Sequence, residues 1–382
     1  MAKSILGIDI GYNSLKLALV NGKQIRHTAV VDMPENLLKD GRVVSKETMG
    51  ELLRDTIKAN NIHCTLGAVS LANESVFIRS VTMPVMTISQ LASNLPFEFR
   101  DYITDELNNY VYDYAVISST MDPERFEAEK KKKKRSRKKG SDKKEEAKAA
   151  ETEPSGDALP EGGTAEDGQA KGNENDMGES MELLAAACQK SLIDDYREIL
   201  RKAGLKLYKA SPTVSCFQSL IRAIPVTEDN ANREYCILDL GYQSIRMYMY
   251  RGDRHIVTRV LEVGLRSLDE AVAENENIDI HKAHTNFVKN FEGCQRNEYC
   301  MTAYGNITVE LMRALNFYRF SNPESHLEDI WICGGGAMIR PLQESIEETM
   351  DLRIHHAREL VPGRSKVEDD YALLQAIGAA TE

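Results

Sequence analysis

Apolar and polar positions first sort the chain into a three-strand meander. "ILGIDIG" (Ile5–Gly11) reads as a buried strand, a polar turn follows, "LKLALV" resumes the apolar run, and Asn21-Gly22 closes a hairpin into a third strand. An Asn-Gly pair accepts positive φ at both central positions of a type I′ turn, whose twist suits the flanking strands. The pattern then returns far down the chain. "DIGYNSLKLALVNG" (Asp9–Gly22) reappears as "DLGYQSIRMYMYRG" (Asp239–Gly252), 230 positions later, with Asp, Gly, Tyr, Ser and the last Gly identical and Lys16 matched by Arg246. Solenoid repeats recur every few tens of residues, so two copies at this distance predict two large homologous domains. The Arg251-Gly252-Asp253 of the second copy reads as its hairpin turn rather than an adhesion motif.

Around the two copies, Lys46–Asn60 is patterned as a helix and Leu66–Leu71 as a short strand, and "ISQLASNLPFEFRDYI" leads to the alternating strand "NNYVYDYAVI". "MELLAAACQ" is a buried strand. The helix that follows gathers Leu192, Ile193, Tyr196, Ile199 and Leu200 on one face before Gly204 stops it. "TVSCFQSLIRAI" is another helix. Beyond the second copy, "SLDEAVAENENIDIHKAHTNFVKNFEG" and "YGNITVELMRALNFYRF" are largely helical, "DIWICGGGAMIRPLQESIEETM" reads as strand, glycine turn and helix, and "EDDYALLQAIGAATE" as a short closing helix.

Composition changes this picture in a few places. With 382 residues the chain can bury a substantial core and divide into several domains. Its net charge of -11 argues against a general nucleic-acid coat, because counterion release rewards a basic face, and no nucleic-acid partner is expected. Seven scattered cysteines without a CxxC pair read as buried free thiols of a reducing cytosol. The N-terminus lacks a signal-peptide pattern and no window holds 18 uninterrupted apolar residues, so a soluble cytoplasmic protein without direct membrane insertion is expected. Residues 124–178 break the pattern. The lysine-rich "EKKKKKRSRKKGSDKK" and the acidic, Gly- and Pro-containing stretch after it cannot bury a core and read as a disordered charged insertion. A membrane-surface or nucleic-acid role for the lysine run stays open as its second reading. Removing Lys130 to Gly178 is expected to leave the melting temperature nearly unchanged.

Chemistry concentrates at the repeated turns. Each copy sets an Asp at a strand end, a Gly two residues on, and polar side chains in the bend, a geometry whose backbone amides can converge on an anion. Gly11, Tyr12, Asn13, Ser14 and Lys16 in the first copy, with Gly241, Tyr242, Gln243 and Ser244 in the second, are the candidate phosphate-binding residues. Asp9 and Asp239 would repel a bare phosphate, so they are assigned to a hydrated divalent cation, Mg²⁺ held through water. A third element, "CGGGA" at Cys333–Ala337, fits neither GxGxxG nor GxxxxGK[ST], which excludes the dinucleotide and P-loop readings. Gly334, Gly335, Gly336 and Met338 are the candidate adenosine wall, with close strand–helix packing as the alternative explanation of the glycines.

Paired DxG turns and a late GGG resemble the actin-like ATPase superfamily. The resemblance implies an α/β actin-like fold: two ribonuclease-H-like domains facing each other around a nucleotide cleft, with ATP and Mg²⁺ as cofactors and Lys16 as a phosphate contact. Within the superfamily, "GIDIG", "LPFEFRDYITDELNNYVYDYAVI" and "ELLAAACQKSLIDDYREILRKAGLKLYKA" are similar to the PilM family of type IV pilus assembly proteins, sister to FtsA. That likeness implies an extra small subdomain in domain one, and a groove beside it that receives the cytoplasmic tail of a PilN-like membrane protein. Other pilus platform proteins are implied as neighbours, the protein sits at the inner face of the membrane through its partners, and self-association stays open. On this reading 1–85, 183–230 and 360–382 form domain 1 (1A), 86–123 and 179–190 the extra subdomain (1C), 231–265 and 325–359 the core of domain 2 (2A), and 266–324 its helical subdomain (2B). The chain departs from the family where relatives carry AExxK. Here "KAHTNFVK" puts His284 in the acid's place and Lys289 out of register, and no carboxylate near "ASPTVSC" offers itself to orient an attacking water. ATP binding is therefore expected, with hydrolysis weak or absent. A small-molecule kinase of the sugar-kinase branch and an FtsA-like filament-forming division protein are the alternatives. FtsA ends in an amphipathic membrane helix, whereas this sequence ends at "GAATE".

Overall fold

The computed structural model describes residues 3–34, 36–39, 41–119, 180–228, 230–361 and 372–381. The charged insertion expected at 124–178, and the deletion expectation built on it, lie outside the described residues. The backbone divides into two compact units, one formed by Met1–Phe77, Asn109–Val111 and Cys188–Glu382, the other by Ile78–Asn108 and Tyr112–Ala187.

The strands in chain order are β1 (Ser4–Ile10), β2 (Ser14–Asn21), β3 (Gln24–Asp32), the two-residue pair β4 (Leu38–Lys39) and β5 (Arg42–Val43), β6 (Leu66–Leu71), β7 (Val76–Pro84), β8 (Tyr110–Ser119), β9 (Ser180–Gln189), β10 (Lys206–Pro212), β11 (Glu234–Leu240), β12 (Ile245–Arg251), β13 (Arg254–Leu261), β14 (Asp329–Cys333) and β15 (Arg353–His356). The described α-helices are α1 (Lys46–Ala59), α2 (Ile88–Asn94), α3 (Lys190–Lys202), α4 (Thr213–Ala223), α5 (Arg266–Glu276), α6 (Ile280–Val288), α7 (Glu298–Ser321), α8 (Arg340–Thr349) and α9 (Leu374–Ala380).

The first unit contains two five-stranded sheets of matching order, β10-β6-β1-β2-β3 and β13-β12-β11-β14-β15. In each, the meander is antiparallel and the later strands add in parallel. The duplication extends to register. Asp9 sits opposite Lys16 and Asp239 opposite Arg246, and both second hairpins carry an irregularity at the same step, Leu19/Val20 in one and Met249/Tyr250 in the other. β1 and β11 are buried on both faces, as central strands covered by helices must be, so they read as near-continuous apolar runs.

Helices form where caps and periodicity agree. Ser45 caps α1 by accepting from the Thr48 amide, and Met49, Leu53 and Thr56 turn one face inward. α6 starts at Asp279, whose carboxylate accepts from the His281 amide at 2.8 Å, and buries Ala283 and Phe287 at i,i+4 spacing. α5 buries Leu268, Asp269 and Val272 and ends at Asn277 in the left-handed conformation. α9, last in the chain, packs on the first sheet against β1, β2 and β6 and beside α4. The two sheets are tied through α4: the Tyr250 hydroxyl donates to the Val214 carbonyl at 2.7 Å, and the rings of Phe217 and Tyr248 meet edge-on at 4.9 Å.

The second unit holds the three-stranded sheet β7-β9-β8. Thr87 and Gln90 form a reciprocal capping box at the start of α2, which buries Leu91; Leu95 and Phe99 of the adjoining 3₁₀ turn are also buried, and Phe99 lies against Tyr112 at 5.6 Å. All seven cysteines are free thiols, six of them buried.

Candidate functional site

The repeated hairpins bring their bends together on one cavity of about 440 Å³, within the range of small-molecule and cofactor sites. Asp9, Gly11, Tyr12, Asn13, Ser14 and Lys16 line it from the first sheet, and Asp239, Gly241, Tyr242 and Gln243 from the second. Gly334, Gly335 and Met338 complete the wall. Two candidates lie elsewhere: Ser244 and Gly336 are buried and do not line the cavity.

Each bend is fixed by its own backbone. The Gly11 amide donates to Ser14 at 3.0 Å, and the Gly241 carbonyl accepts from Leu265, also at 3.0 Å. Among the described residues no backbone bond takes the amides of Tyr12, Asn13, Tyr242 or Gln243, so these donors remain for a ligand. In the glycine turn, Gly334 has φ +83°, and a Cβ there would stand 2.5 Å from Oδ1 of Asp239. Gly336 answers to packing instead: its Cβ would stand 2.6 Å from Cβ of Leu240 and 2.9 Å from Cδ2 of Leu265.

The charges are arranged asymmetrically although the strands are not. Lys16 donates to Asp9 at 2.9 Å, both side chains being largely buried. Burial alone would lower the Lys16 ammonium, but the charge of Asp9, the hydrogen bond to it and the charge of Asp239 outweigh that and hold it above its ordinary value. Arg246, in the equivalent position, instead pairs with Glu74 of the first lobe. Asp239 accepts from Gln375 of α9 at 3.0 Å, and burial pushes its carboxyl up against the opposing pull of Arg246 and Lys16. Burial likewise pushes the Cys333 thiol, beside the site, well above its ordinary value.

Several lining residues carried no motif: Glu74, Asn73, Gln375, Asp32 and Asp269; Arg246 and Tyr248 belong to the second repeat copy but are not among its candidate site residues. Asn73 donates to the Tyr248 hydroxyl at 2.7 Å, a further link between lobes. Three buried polar atoms on this wall have no partner: Asn73 Oδ1, Arg246 Nε and Gln375 Oε1. The donor set also fits a hydrated cation, because Lys16 and Gln375 use only one oxygen of each aspartate.

Comparison with known proteins follows this geometry. The family model described as type IV pilus assembly protein PilM matches residues 167–359, half of the chain. A solved PilM-PilN type IV pilus biogenesis complex contains a chain that is 21% identical, with a TM-score of 0.69 over 98% of this chain and 97% of that one. The ethanolamine utilization protein EutJ from Carboxydothermus hydrogenoformans is 10% identical, with a TM-score of 0.53 over 98% of this chain and 88% of that one. Comparison with curated proteins finds no match. The structural likenesses establish the fold, which is actin-like α/β.

Proposed function

The chain belongs to the PilM family of type IV pilus assembly proteins, and from that premise we propose that it is an ATP-binding adaptor of a type IV pilus or related type II secretion machine. The observation that carries the nucleotide reading is the pair of register-matched aspartates, Asp9 and Asp239, lining one cavity together with the bends that follow them. Asp9 and Asp239 would hold hydrated Mg²⁺, which when bound offsets the charge of a triphosphate between two carboxylates. The two bends and Lys16 would hold the phosphates, and the Gly334–Gly336 turn with Met338 the adenosine. On this reading the function is binding and response, with ATP hydrolysis weak or absent.

The partner is a short cytoplasmic tail of a PilN-like membrane protein, and the protein sits at the inner face of the membrane through it. No helix among the described residues is long and apolar enough to cross a membrane, in keeping with recruitment by a partner. Phe97 and Tyr102 of the second unit are large, exposed side chains and are the first to vary in a tail-binding assay. ATP closing the two lobes would change the affinity for the tail.

Isothermal titration with ATP and Mg²⁺ tests the nucleotide claim: binding to the wild type, lost in Asp9→Ala and Lys16→Ala with the fold intact by circular dichroism. Wild-type protein that takes up no ATP overturns it. Equal tail-peptide affinity with and without saturating ATP removes the coupling while leaving both binding claims standing.

A further inference from the structure

β13 is the outermost strand of the second sheet and pairs with β12 alone among the described residues. Its ladder with β12 skips Ile256, so Val257–Leu261 forms a regular run with Arg259 at its centre. Among the described residues no backbone bond outside the ladder takes this run, which leaves a row of donors and acceptors along the outer edge. Edges are ordinarily guarded by charge, and Arg259 alone would be such a guard. Its surroundings work in the opposite sense. The Arg259 guanidinium lies over the ring of Phe317 of α7, 4.5 Å from the centroid, and meets no carboxylate among the described residues. One turn before Phe317, Arg313 is by contrast paired with Glu310. Phe317 is 53% exposed, and Phe320, at i+3 on the same face of α7, is 85% exposed.

Exposed aromatic rings invite contact, and a cation held on one of them keeps its charge for an incoming acid. We propose that the Val257–Leu261 edge docks an extended segment of a partner protein as an added strand, with an acidic residue opposite Arg259 and apolar side chains of the same face against Phe317 and Phe320. Main-chain bonds to the edge supply affinity with little regard to sequence, and the alternating side chains select the partner. On one face of an added strand side chains recur every second residue, so an acid across from Arg259 leaves its i±2 neighbours within reach of the rings. An acidic segment suits this edge because the chain itself supplies Arg259 with no counter-charge. Neither the nucleotide nor the PilN-like tail takes part.

The test is fluorescence anisotropy on the full chain with a labelled peptide of alternating glutamate and valine, about ten residues long. Salt of about 0.15 M screens the chain's net charge of -11, which at long range favours a cationic peptide. The glutamate peptide should bind. Its lysine-for-glutamate counterpart should bind roughly tenfold more weakly through charge, and a proline-interrupted one roughly tenfold more weakly through loss of the strand. Arg259→Gln should weaken the glutamate peptide by about three- to fivefold, the scale of one cross-strand charge pair. Phe320→Ser should weaken it by a similar factor with the melting temperature unchanged, since the ring is exposed. Bound peptide should slow amide exchange at Val257–Leu261. No binding of the glutamate peptide, equal binding of the lysine peptide, undiminished binding to folded Arg259→Gln, or slowed exchange elsewhere overturns the inference. A dimer of the chain alone in sedimentation that Phe320→Ser dissolves also overturns it, by giving the edge to a second copy.

Discussion

Asp239→Asn separates a ligand-holding role for this carboxylate from a structural one, because the two predict opposite signs for stability and binding. Asp239 is 7% exposed and central to the first unit, between the sheets. Burial raises its carboxyl, and the combined attraction of Arg246 and Lys16 does not cancel that cost. A raised folded-state value means the folded protein favours the neutral acid, so the contribution is most favourable at low pH and is lost as pH climbs through the raised value. At neutral pH the ionised side chain is thus a net cost, and an isosteric neutral amide relieves it. Asn keeps an oxygen to accept the Gln375 bond, now 3.0 Å long. The expected gain is about 1 kcal/mol, on the scale of stabilising replacements at functional sites. In a chain of this size that is a rise in melting temperature of roughly 1–2 °C. The same change should weaken Mg²⁺-dependent ATP binding by about 10–100-fold, as loss of a group that orients metal-bound water does. Differential scanning fluorimetry and titration calorimetry on one preparation read both. A lower melting temperature would show that the carboxylate serves Lys16 and Arg246 as a structural counter-charge, and unchanged ATP affinity in a stabilised variant would remove Asp239 from the ligand site.

Three further outcomes follow from the same geometry. Glu74→Gln frees Arg246 for phosphate; since Glu74 is half exposed and its pair is screened by solvent, ATP affinity should rise by no more than about fivefold in calorimetry, and a fall would place Glu74 on the ligand's side. The hydrogen bond that His284 donates to Asp269 raises its imidazole above the ordinary 6.5 against the opposing effect of burial, with the charges of Asp269 and Asp32 assisting, so its stabilisation is complete below pH 6.5 and lost as pH rises through the raised value. Melting temperatures across that window should fall more steeply for the wild type than for His284→Gln, and parallel profiles would refute the assignment. Gly336→Ala forces a Cβ to within 2.6 Å of Leu240 and should cost about 1–3 kcal/mol in chemical denaturation, whereas Gly335→Ala, whose nearest neighbour is 3.6 Å away, should be neutral.

The parts of this molecule that were legible in the sequence are those written twice. The meander pattern and its hairpin turns are local and periodic, and the structure repeats them strand for strand, adding the cross-strand register of Asp9 with Lys16 and Asp239 with Arg246 that the sequence reading does not draw. The pair β4 and β5 went unseen because two-residue strands carry no period. The order β7-β9-β8 is a non-local pairing that no short window encodes. Among the glycines, the sequence could not tell Gly334, which approaches Asp239, from Gly336, which makes room for Leu240 and Leu265. Gln375 did leave a trace, as the one polar residue in the buried run "LLQAIGAA", where an amide with no aqueous outlet must have a partner.

What the sequence presents as symmetric, the structure uses asymmetrically, and the difference bears on function. Lys16 and Arg246 occupy equivalent register positions, yet Lys16 bonds its own Asp9 while Arg246 reaches to Glu74 and leaves Asp239 to Gln375. Glu74, Asn73 and Gln375 come from the end of a strand's following turn and from the last helix, so no spacing rule groups them with the DxG bends. They are nonetheless the residues through which one lobe grips the other across the cavity. Lys16 pairs within its own lobe, whereas Arg246 and Asp239 each bond a residue of the opposite lobe, so a ligand competing for those bonds competes with links between the lobes. A duplicated cleft of this kind can sense its occupant only through such unequal halves: a ligand that disturbed nothing between the lobes would bind without altering the equilibrium between their arrangements.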